Sequence, residues 1–181
     1  MTRGDARELA VHLIYSREFT GDAPLELVKN RLDEKYYSNL AEENEIYLDR
    51  PSARQVAYID EVVAGVAQHA EELDAIIGRY SIGWNVSRIS RLSRAILQLA
   101  IYEISYLDDV PNGVAVSEAV RLVKKYDLDA AGFVNGILGS VVRAIDTPAP
   151  IEALAEDQEP APEEAAQTPE QDAAEEVTEE I

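Results

Sequence analysis

Apolar residues recur every three or four positions along most of the first 142 residues, and this spacing constrains the fold more than any other feature of the sequence. Such a period places the apolar side chains on one face of an α-helix, whereas a half-buried strand needs strict alternation. No segment between predicted turns shows a convincing alternation of apolar and polar residues. Residues 114–116 are the one short apolar run that resembles a strand. The pattern therefore predicts an all-α domain.

Seven helices account for this pattern. Thr2 is a suitable N-cap for the first helix, which ends near Gly21, and Pro24 opens a second helix that extends towards Tyr36. Residues 38–50 are polar and acidic and predict a surface loop. A long helical stretch begins at Pro51, and Gly65 is a candidate break that divides it into two helices. A connector follows at 78–84, in which we expect Trp84 to be a buried wedge. The remaining helices are predicted around 89–104, 114–125 and 133–142.

The end of the chain has a different composition from the rest. Residues 147–181 contain 12 acidic residues, no Lys or Arg, no aromatic residue and five of the eight prolines. Such a segment buries too little apolar surface to offset its ordering entropy, so we expect a disordered acidic tail after a folded domain at 1–146. The alternative is an acidic arm that competes with RNA or contacts a basic partner. The net charge of −19 divides into −12 for the tail and −7 for the domain, so it does not exclude RNA binding.

The residue types exclude most catalytic chemistry. The chain has no cysteine, and its two histidines, His12 and His69, lack a metal-site spacing. No phosphate-binding loop or nucleophile elbow occurs, and the glycine pair Gly136 and Gly139 is interpreted as a site of close helix packing. No apolar run approaches 18 residues, and the first residues are not a secretory signal. We expect a cytoplasmic protein that is not an enzyme and uses no metal or cofactor.

Basic residues are concentrated near predicted helix ends. Arg3 and Arg7 are four residues apart and share a side of the first helix, where their guanidinium groups are placed to bind phosphates or stack on bases. Lys124 and Lys125 lie near the end of a later helix, where a lysine pair also favours the helix dipole and is usually solvated. A further run of arginines stands at the start of the central helix, at positions 88, 91 and 94.

Four sequence blocks follow one another along the chain. They are Ala6-Arg7-Glu8-Leu9-Ala10 with Leu13-Ile14-Tyr15, then Arg94 to Ile104, then Val110-Pro111 with Val114 to Tyr126, and finally Phe133-Val134-Asn135-Gly136-Ile137-Leu138. Together they resemble the NusB family of bacterial transcription antitermination factors, and the resemblance extends over about residues 3–145. Each block alone is moderately specific, and the four in order are highly specific.

The resemblance implies a fold of seven helices in two small bundles and an RNA-binding role without catalysis. Family members pair with NusE, a small-subunit ribosomal protein, and the heterodimer binds the boxA sequence in ribosomal RNA leaders. It thereby helps RNA polymerase resist premature termination. No membrane partner is implied.

The resemblance also implies an RNA surface on the first helix and near the start of the last. Phe133 is either a ring that stacks on an unpaired base or a core aromatic, and Tyr15 is either a packed ring or a partner contact. The residues that we expect to bind RNA are Arg3, Arg7, Tyr15, Lys124, Lys125, Asp129 in the 127–131 loop, and Phe133.

This chain departs from the family pattern in three ways. Gly4 and Asp5 follow Arg3, so the arginine-rich motif is thin and we expect greater dependence on NusE. Ser93 stands where the family often has an acidic residue, and the tail is not part of the pattern. Two other hypotheses stay open: a helical scaffold that forms a homodimer, and the RNA-recognition domain of a methyltransferase, against which the lack of a catalytic segment after 146 speaks.

Overall fold

The computed structural model describes residues 1–81 and 89–146, so Trp84, Arg88 and the segment 147–181 lie outside the described residues. Within the described ranges the chain is helical and contains no strand, which confirms the all-α prediction. Two short 3-10 turns occur there, at Glu45–Tyr47 and Leu128–Ala130. The α-helices are α1 (Arg3–Thr20), α2 (Pro24–Arg31), α3 (Glu34–Leu40), α4 (Ala53–Gln68), α5 (Ala70–Tyr80), α6 (Arg91–Tyr106), α7 (Asn112–Tyr126) and α8 (Ala131–Asp146).

Helix α1 begins and ends where the sequence indicates. The Thr2 hydroxyl accepts a hydrogen bond from the Asp5 N–H at 3.1 Å, and the Asp5 carboxylate accepts one from the Thr2 N–H at 2.6 Å. This reciprocal capping satisfies two N–H groups that the helix itself leaves unpaired. At the other end Gly21 adopts the left-handed conformation, with φ of 69°, and its N–H donates to the Arg17 carbonyl.

The described residues form eight α-helices because the segment expected to hold one helix and a loop contains two helices. Helix α2 ends at Arg31, and α3 begins after Asp33, whose carboxylate accepts from the Tyr36 N–H at 3.1 Å. Helix α3 buries only Tyr37, whose hydroxyl donates to the Asp49 carbonyl at 3.0 Å. A seven-residue helix with one buried side chain carries too few apolar positions for its period to be visible in the sequence.

The long apolar stretch from Pro51 divides at His69 and not at Gly65. Helix α4 continues through Gly65 to Gln68. A Cβ atom added at Gly65 would lie 2.1 Å from the Cζ atom of Tyr102 on α6. The glycine is therefore explained by the close approach of α6. The packing role expected for Gly136 is wrong, since a Cβ there would meet no atom within 4 Å.

Replacing Gly65 with alanine is expected to lower the free energy of unfolding. Forcing a methyl group into this contact costs about 1–3 kcal/mol, and the gain in helix propensity returns about 1 kcal/mol at most. Urea denaturation followed by circular dichroism measures the difference. Gly136→Ala is the matched control and is expected to stabilise the protein slightly, because its Cβ enters open space. Equal stabilisation by both substitutions would contradict the close approach of α6 to Gly65.

Helix α6 is the centre of the core. Helices α1, α2 and α4 pack on one another, α7 and α5 pack on α8, and α6 contacts both groups. This arrangement matches the two groups of helices that the family resemblance implies. Buried residues of α6 include Ala95, Ile96, Leu97, Leu99, Ala100 and Ile101, and they belong to the same apolar cluster as the buried faces of α1, α4 and α8.

The segment Leu128–Asp146, which contains α8, is long and apolar enough to cross a membrane by length and composition alone, with a mean hydropathy of 1.3. The sequence contains no uninterrupted apolar run of this length, because glycine and polar residues interrupt the apolar positions of α8. The buried residues of α8 are Phe133, Val134, Ile137, Leu138 and Val141, and they lie in the core. Of the stretch that meets this criterion 28% is buried, so packing in the core accounts for one face of α8 and not for its whole apolar composition.

Candidate nucleic-acid interface

Arg7 lies in a buried ion pair at the base of the predicted RNA surface. Its Nε donates to both carboxylate oxygens of Glu103 on α6, at 2.8 and 3.1 Å, and the Tyr58 hydroxyl donates to the same carboxylate at 2.8 Å. Arg7 is 8% exposed and Glu103 is 1% exposed. Burial raises the pKa of Glu103, although Arg7 and Tyr58 oppose that change. The Arg7 guanidinium is therefore already bound to a carboxylate, and its predicted role in RNA binding stays a prediction.

Arg3 is exposed one turn before Arg7 and borders a cavity of about 220 Å³. Arg54, at the start of α4, lines the same cavity together with the Gln55 and Tyr58 side chains. Among the described residues neither Arg3 nor Arg54 has a carboxylate within ion-pair distance. The two guanidinium groups are therefore available to a phosphate.

Lys125 connects the end of α7 to α1 through a buried carboxylate. Its Nζ lies 2.7 Å from Glu8, which is 1% exposed and also accepts a hydrogen bond from the Tyr126 hydroxyl at 2.6 Å. Burial alone would raise the pKa of Glu8, but the hydrogen bonds from Lys125 and Tyr126 bring it below its usual value. Lys125 thus compensates a buried charge while its side chain remains partly exposed.

Arg121 also holds α7 against α1, although it was not among the residues predicted from the sequence. Its Nη2 donates to the Gly4 carbonyl at 3.2 Å, and its Nη1 lies 3.6 Å from Glu8. Arg121 precedes Lys125 by one helical turn. This spacing places both side chains on the same face of an amphipathic helix, and it could have identified Arg121 from the sequence. Arg54 was missed as well, because nothing in its local sequence places it near the start of α1.

Lys124 and Asp129 lie on the exposed side of the α7–α8 connection. No described residue forms an ion pair with Lys124. The connection is held to α6 by Asp127, which accepts hydrogen bonds from Ser93 at 2.7 Å and from Ser90 at 2.8 Å. These bonds lower the pKa of Asp127. Ser93, where the family often has an acidic residue, is thus a buried support for this connection.

The two aromatic candidates occupy different environments. Phe133 is 7% exposed and lies in the core cluster, which agrees with the core alternative left open by the sequence. Tyr15 is half-buried and packs edge-to-face on Phe19, with ring centroids 5.1 Å apart. Base stacking by Phe133 would require its ring to become more exposed than it is in this structure.

Neither histidine shows the surroundings of a metal ligand. The ring of His12 is hydrogen-bonded to the hydroxyl groups of Tyr126 and Tyr47, and burial lowers its pKa. His69 contacts Glu72 on the following turn. Within the ranges 1–81 and 89–146 no group of three His, Asp or Glu side chains is arranged to hold a metal ion.

Five exposed cations, near the first half of α1 and along the second half of α7, define a basic surface. It comprises Arg3, Arg54, Arg121, Lys124 and Lys125, of which Arg121 and Lys125 also hold α7 in place. Exposed cations on rigid helices bind phosphate groups, and such contacts give affinity without sequence preference. The arrangement is chemically suited to contact with the phosphate groups of a polyanion.

Comparison with known proteins gives consistent results. Residues 4–143 match the NusB family. The chain is 45% identical over 144 residues to the transcription antitermination protein NusB of Acetivibrio thermocellus, covering 79% of this chain and 90% of that protein. A structure of T. maritima NusB has a TM-score of 0.63 at 26% identity, covering 79% of this chain and 92% of that chain. A structure of the antitermination factors NusB and NusE in complex with double-stranded RNA has a TM-score of 0.60 at 28% identity, covering 78% of this chain and 96% of the matched chain.

Proposed function

Because this chain belongs to the NusB family of transcription antitermination proteins, which are not enzymes, we propose that it binds boxA RNA together with NusE. The RNA is the leader of ribosomal RNA operons, and the complex helps RNA polymerase resist premature termination. The observation that carries the RNA-binding part is the basic surface, where Arg3, Arg54 and Lys124 make no ion pair with any described residue. The relative solved with NusE and double-stranded RNA supports the partner assignment. The place of action is then the cytoplasm, where RNA polymerase works on nascent RNA.

Five side chains at this surface divide into two roles, and Arg54 is the one of them that was not among the predicted RNA contacts. Arg3, Arg54 and Lys124 bind phosphates directly. Arg7 holds α1 against α6, and Lys125 holds α1 against α7, so these two side chains fix the positions of the helices that carry the basic surface. The Asp129 carboxylate is exposed in the turn before α8 and is suited to accept hydrogen bonds from base amino groups. Tyr15 and Phe133 are assigned to base or partner contacts through the family resemblance.

The local charge predicts dependence on NusE. Asp5 follows Arg3 closely, and its carboxylate is held at the helix start by the Thr2 N–H. Glu118 lies 3.2 Å from Arg121 and reduces the positive potential beside α1. A single chain therefore presents few uncompensated cations, and a second protein that adds contacts to the RNA raises the affinity.

The experiment that tests the proposal is a titration of fluorescently labelled boxA RNA with this protein, with NusE, and with both. We expect the mixture to bind boxA more tightly than either protein alone, and more tightly than a scrambled RNA of the same length and composition. Equal binding of boxA and scrambled RNA in every mixture would contradict the proposal. Light scattering of each mixture reports whether a homodimer forms and whether RNA dissociates it.

We also assign the RNA-binding fold to residues 1–146, with 147–181 as a separate acidic tail. Removing residues 147–181 deletes 12 negative charges and no positive charge. Because like charges repel RNA, the truncated chain is expected to bind boxA with equal or higher affinity and to keep its helix content and its midpoint in urea. Circular dichroism and the same titration check this expectation. Weaker RNA binding after truncation would show that the tail takes part in recognition.

A further inference from the structure

A row of hydrogen-bonded polar side chains connects four elements of the fold and ends at a residue that also contacts the basic surface. From α2 through the first 3-10 turn and α1 to α7, its members are Arg31, Tyr47, His12, Tyr126 and Glu8. The Arg31 guanidinium donates to the Tyr47 hydroxyl at 2.8 Å, and that hydroxyl lies 3.4 Å from Nδ1 of His12. On the other side of the ring, Nε2 lies 2.9 Å from the Tyr126 hydroxyl, which donates to Glu8 at 2.6 Å. The imidazole of His12 therefore stands in the middle of this polar row, between a cation and a carboxylate.

The two ends of the polar row fix the direction of each hydrogen bond, because a guanidinium only donates and an ionised carboxylate only accepts. Burial alone would raise the pKa of Glu8, but the hydrogen bonds from Lys125 and Tyr126 lower it, so the carboxylate is ionised. The single hydroxyl proton of Tyr126 is used at Glu8, so Nε2 of His12 must carry the proton that joins the ring to the phenol oxygen. Burial lowers the pKa of His12, so the ring is neutral at pH 7 and its Nδ1 accepts from Tyr47.

Tyr126 connects the polar row to two cations of the basic surface. It is the last residue of α7 and directly follows Lys124 and Lys125. The Glu8 oxygen that accepts from the Tyr126 hydroxyl is the same one that lies 2.7 Å from the Lys125 Nζ. A shift of the Tyr126 ring therefore changes the contact between Lys125 and Glu8 and moves the end of the helix that carries both lysines. The hydrogen bond from His12 to Tyr126 thus bears on where these two cations stand relative to α1.

We propose that His12 is a positioning residue for RNA binding, which fixes Lys124 and Lys125 beside α1 because its Nε2–H donates to Tyr126. It acts through Tyr126 and does not need to contact the RNA. The consequence for RNA binding rests on the proposed function. The Nε2–H form of the ring and its hold on the end of α7 are independent of the RNA and can be measured without it.

Three substitutions separate donation to Tyr126 from the mere filling of space by the ring. His12→Gln keeps an amide N–H at about the reach of Nε2 and so retains a donor for Tyr126. His12→Asn is the matched control, because the same amide group reaches only to the position of Nδ1, where it contacts Tyr47. His12→Leu provides no partner for either hydroxyl. We therefore expect His12→Gln to behave as wild type and the other two variants to lose the hold on α7.

The first measurement uses the full-length chain labelled with ¹⁵N, without RNA. NMR correlations between ring protons and ring nitrogens show which nitrogen carries the proton at pH 7, and His69→Gln assigns the signals because the chain has two histidines. We expect the proton of His12 on Nε2. Amide hydrogen exchange at residues 124–127 is expected to be faster in His12→Asn and His12→Leu than in wild type and His12→Gln. A proton on Nδ1, or equally fast exchange in all three variants, would overturn the proposal.

The second measurement is the titration of labelled boxA RNA with NusE present. His12→Asn and His12→Leu are expected to weaken binding about fivefold, the factor that corresponds to one hydrogen bond of about 1 kcal/mol, and His12→Gln is expected to bind as wild type. Wild-type affinity in the asparagine and leucine variants would overturn the proposal. So would the same loss in all three variants, since the ring would then matter for its packing alone.

Failure of the proposed function is distinguishable from failure of this inference. If the wild-type protein with NusE does not distinguish boxA from scrambled RNA, the proposed function is contradicted, and the exchange rates still decide whether His12 holds the end of α7. If wild type prefers boxA and the three variants bind it equally well, the proposed function stands and the role of His12 is refuted.

Discussion

Arg7→Ala is expected to lower the free energy of unfolding by about 3–5 kcal/mol, the usual cost of removing one partner from a buried ion pair. The substitution leaves the Glu103 carboxylate, which is 1% exposed, without its guanidinium partner. Among the described residues the Tyr58 hydroxyl is then the one hydrogen-bond donor that remains to this carboxylate. Urea denaturation of wild type and variant at pH 7 measures the difference.

Two controls separate this effect from a general loss of charge. Arg3→Ala removes the same side chain one turn earlier, at an exposed position, and is expected to change the free energy of unfolding by less than about 0.5 kcal/mol. Adding Glu103→Gln to Arg7→Ala removes the buried charge while keeping an acceptor for Tyr58, so it is expected to recover part of the loss. If Arg7→Ala destabilised the protein no more than Arg3→Ala, the ion pair with Glu103 would not be what holds α1 to α6.

The pH dependence of the Arg7→Ala variant follows from the same buried carboxylate. Burial raises the pKa of Glu103 even with Arg7 present, and loss of the guanidinium raises it further. A carboxyl whose pKa is raised in the folded state binds its proton more tightly there than in the unfolded chain. Below the unfolded pKa of 4.5 the carboxyl is protonated in both proteins, so we expect the destabilisation caused by Arg7→Ala to be small there. The destabilisation is expected to grow as the pH rises from the folded pKa of Glu103 in the wild type towards its higher folded pKa in the variant.

Replacing both Arg3 and Lys124 with alanine is expected to reduce the salt dependence of RNA binding. Each phosphate contact on single-stranded RNA contributes about 0.7 to the slope of log K against log salt concentration, so two lost contacts lower its magnitude by about 1.4. Neither side chain forms an ion pair with a described residue, so the variant is expected to unfold at the wild-type urea concentration. Titrations of boxA RNA with NusE present, at several salt concentrations, give the slope.

The matched control removes one lysine and one arginine elsewhere. Lys29 on α2 and Arg79 on α5 are exposed and lie outside the basic surface. Lys29→Ala with Arg79→Ala changes the net charge by the same amount and is expected to leave the slope close to that of wild type. Equal slopes for the two double variants would show that net charge alone governs binding and that the basic surface is not the RNA contact.

Much of the fold was predictable because helix formation depends on neighbours in sequence. Thr2, Asp5 and Gly21 set the ends of α1 through contacts within four residues. Helix α3 was not predicted because it buries only Tyr37. The break between α4 and α5 was predicted at the wrong residue, because Gly65 is required by its contact with the Tyr102 ring on α6 and does not end a helix.

The candidate site was predictable only in part. Arg3 and Lys124 are exposed, whereas Arg7 and Phe133 are buried, and for Phe133 a core position was the alternative left open by the sequence. Periodicity indicates which face of a helix is apolar, but a charged residue at the edge of that face can point to solvent or to a buried partner. Arg54 and Arg121 were missed because their importance depends on helices that are distant in sequence.

The sequence by itself determined the all-α class, the ends of α1, the family and the concentration of acid after residue 146, since each depends on local pattern or composition. Only the tertiary structure decided which cations are available to a ligand. Arg7 meets Glu103 across 96 residues of chain, and Lys125 meets Glu8 across 117. The physical reason is that a cation is ion-paired or free to bind a ligand according to which groups lie within a few ångströms of it. Helix packing brings together partners that no local sequence pattern identifies.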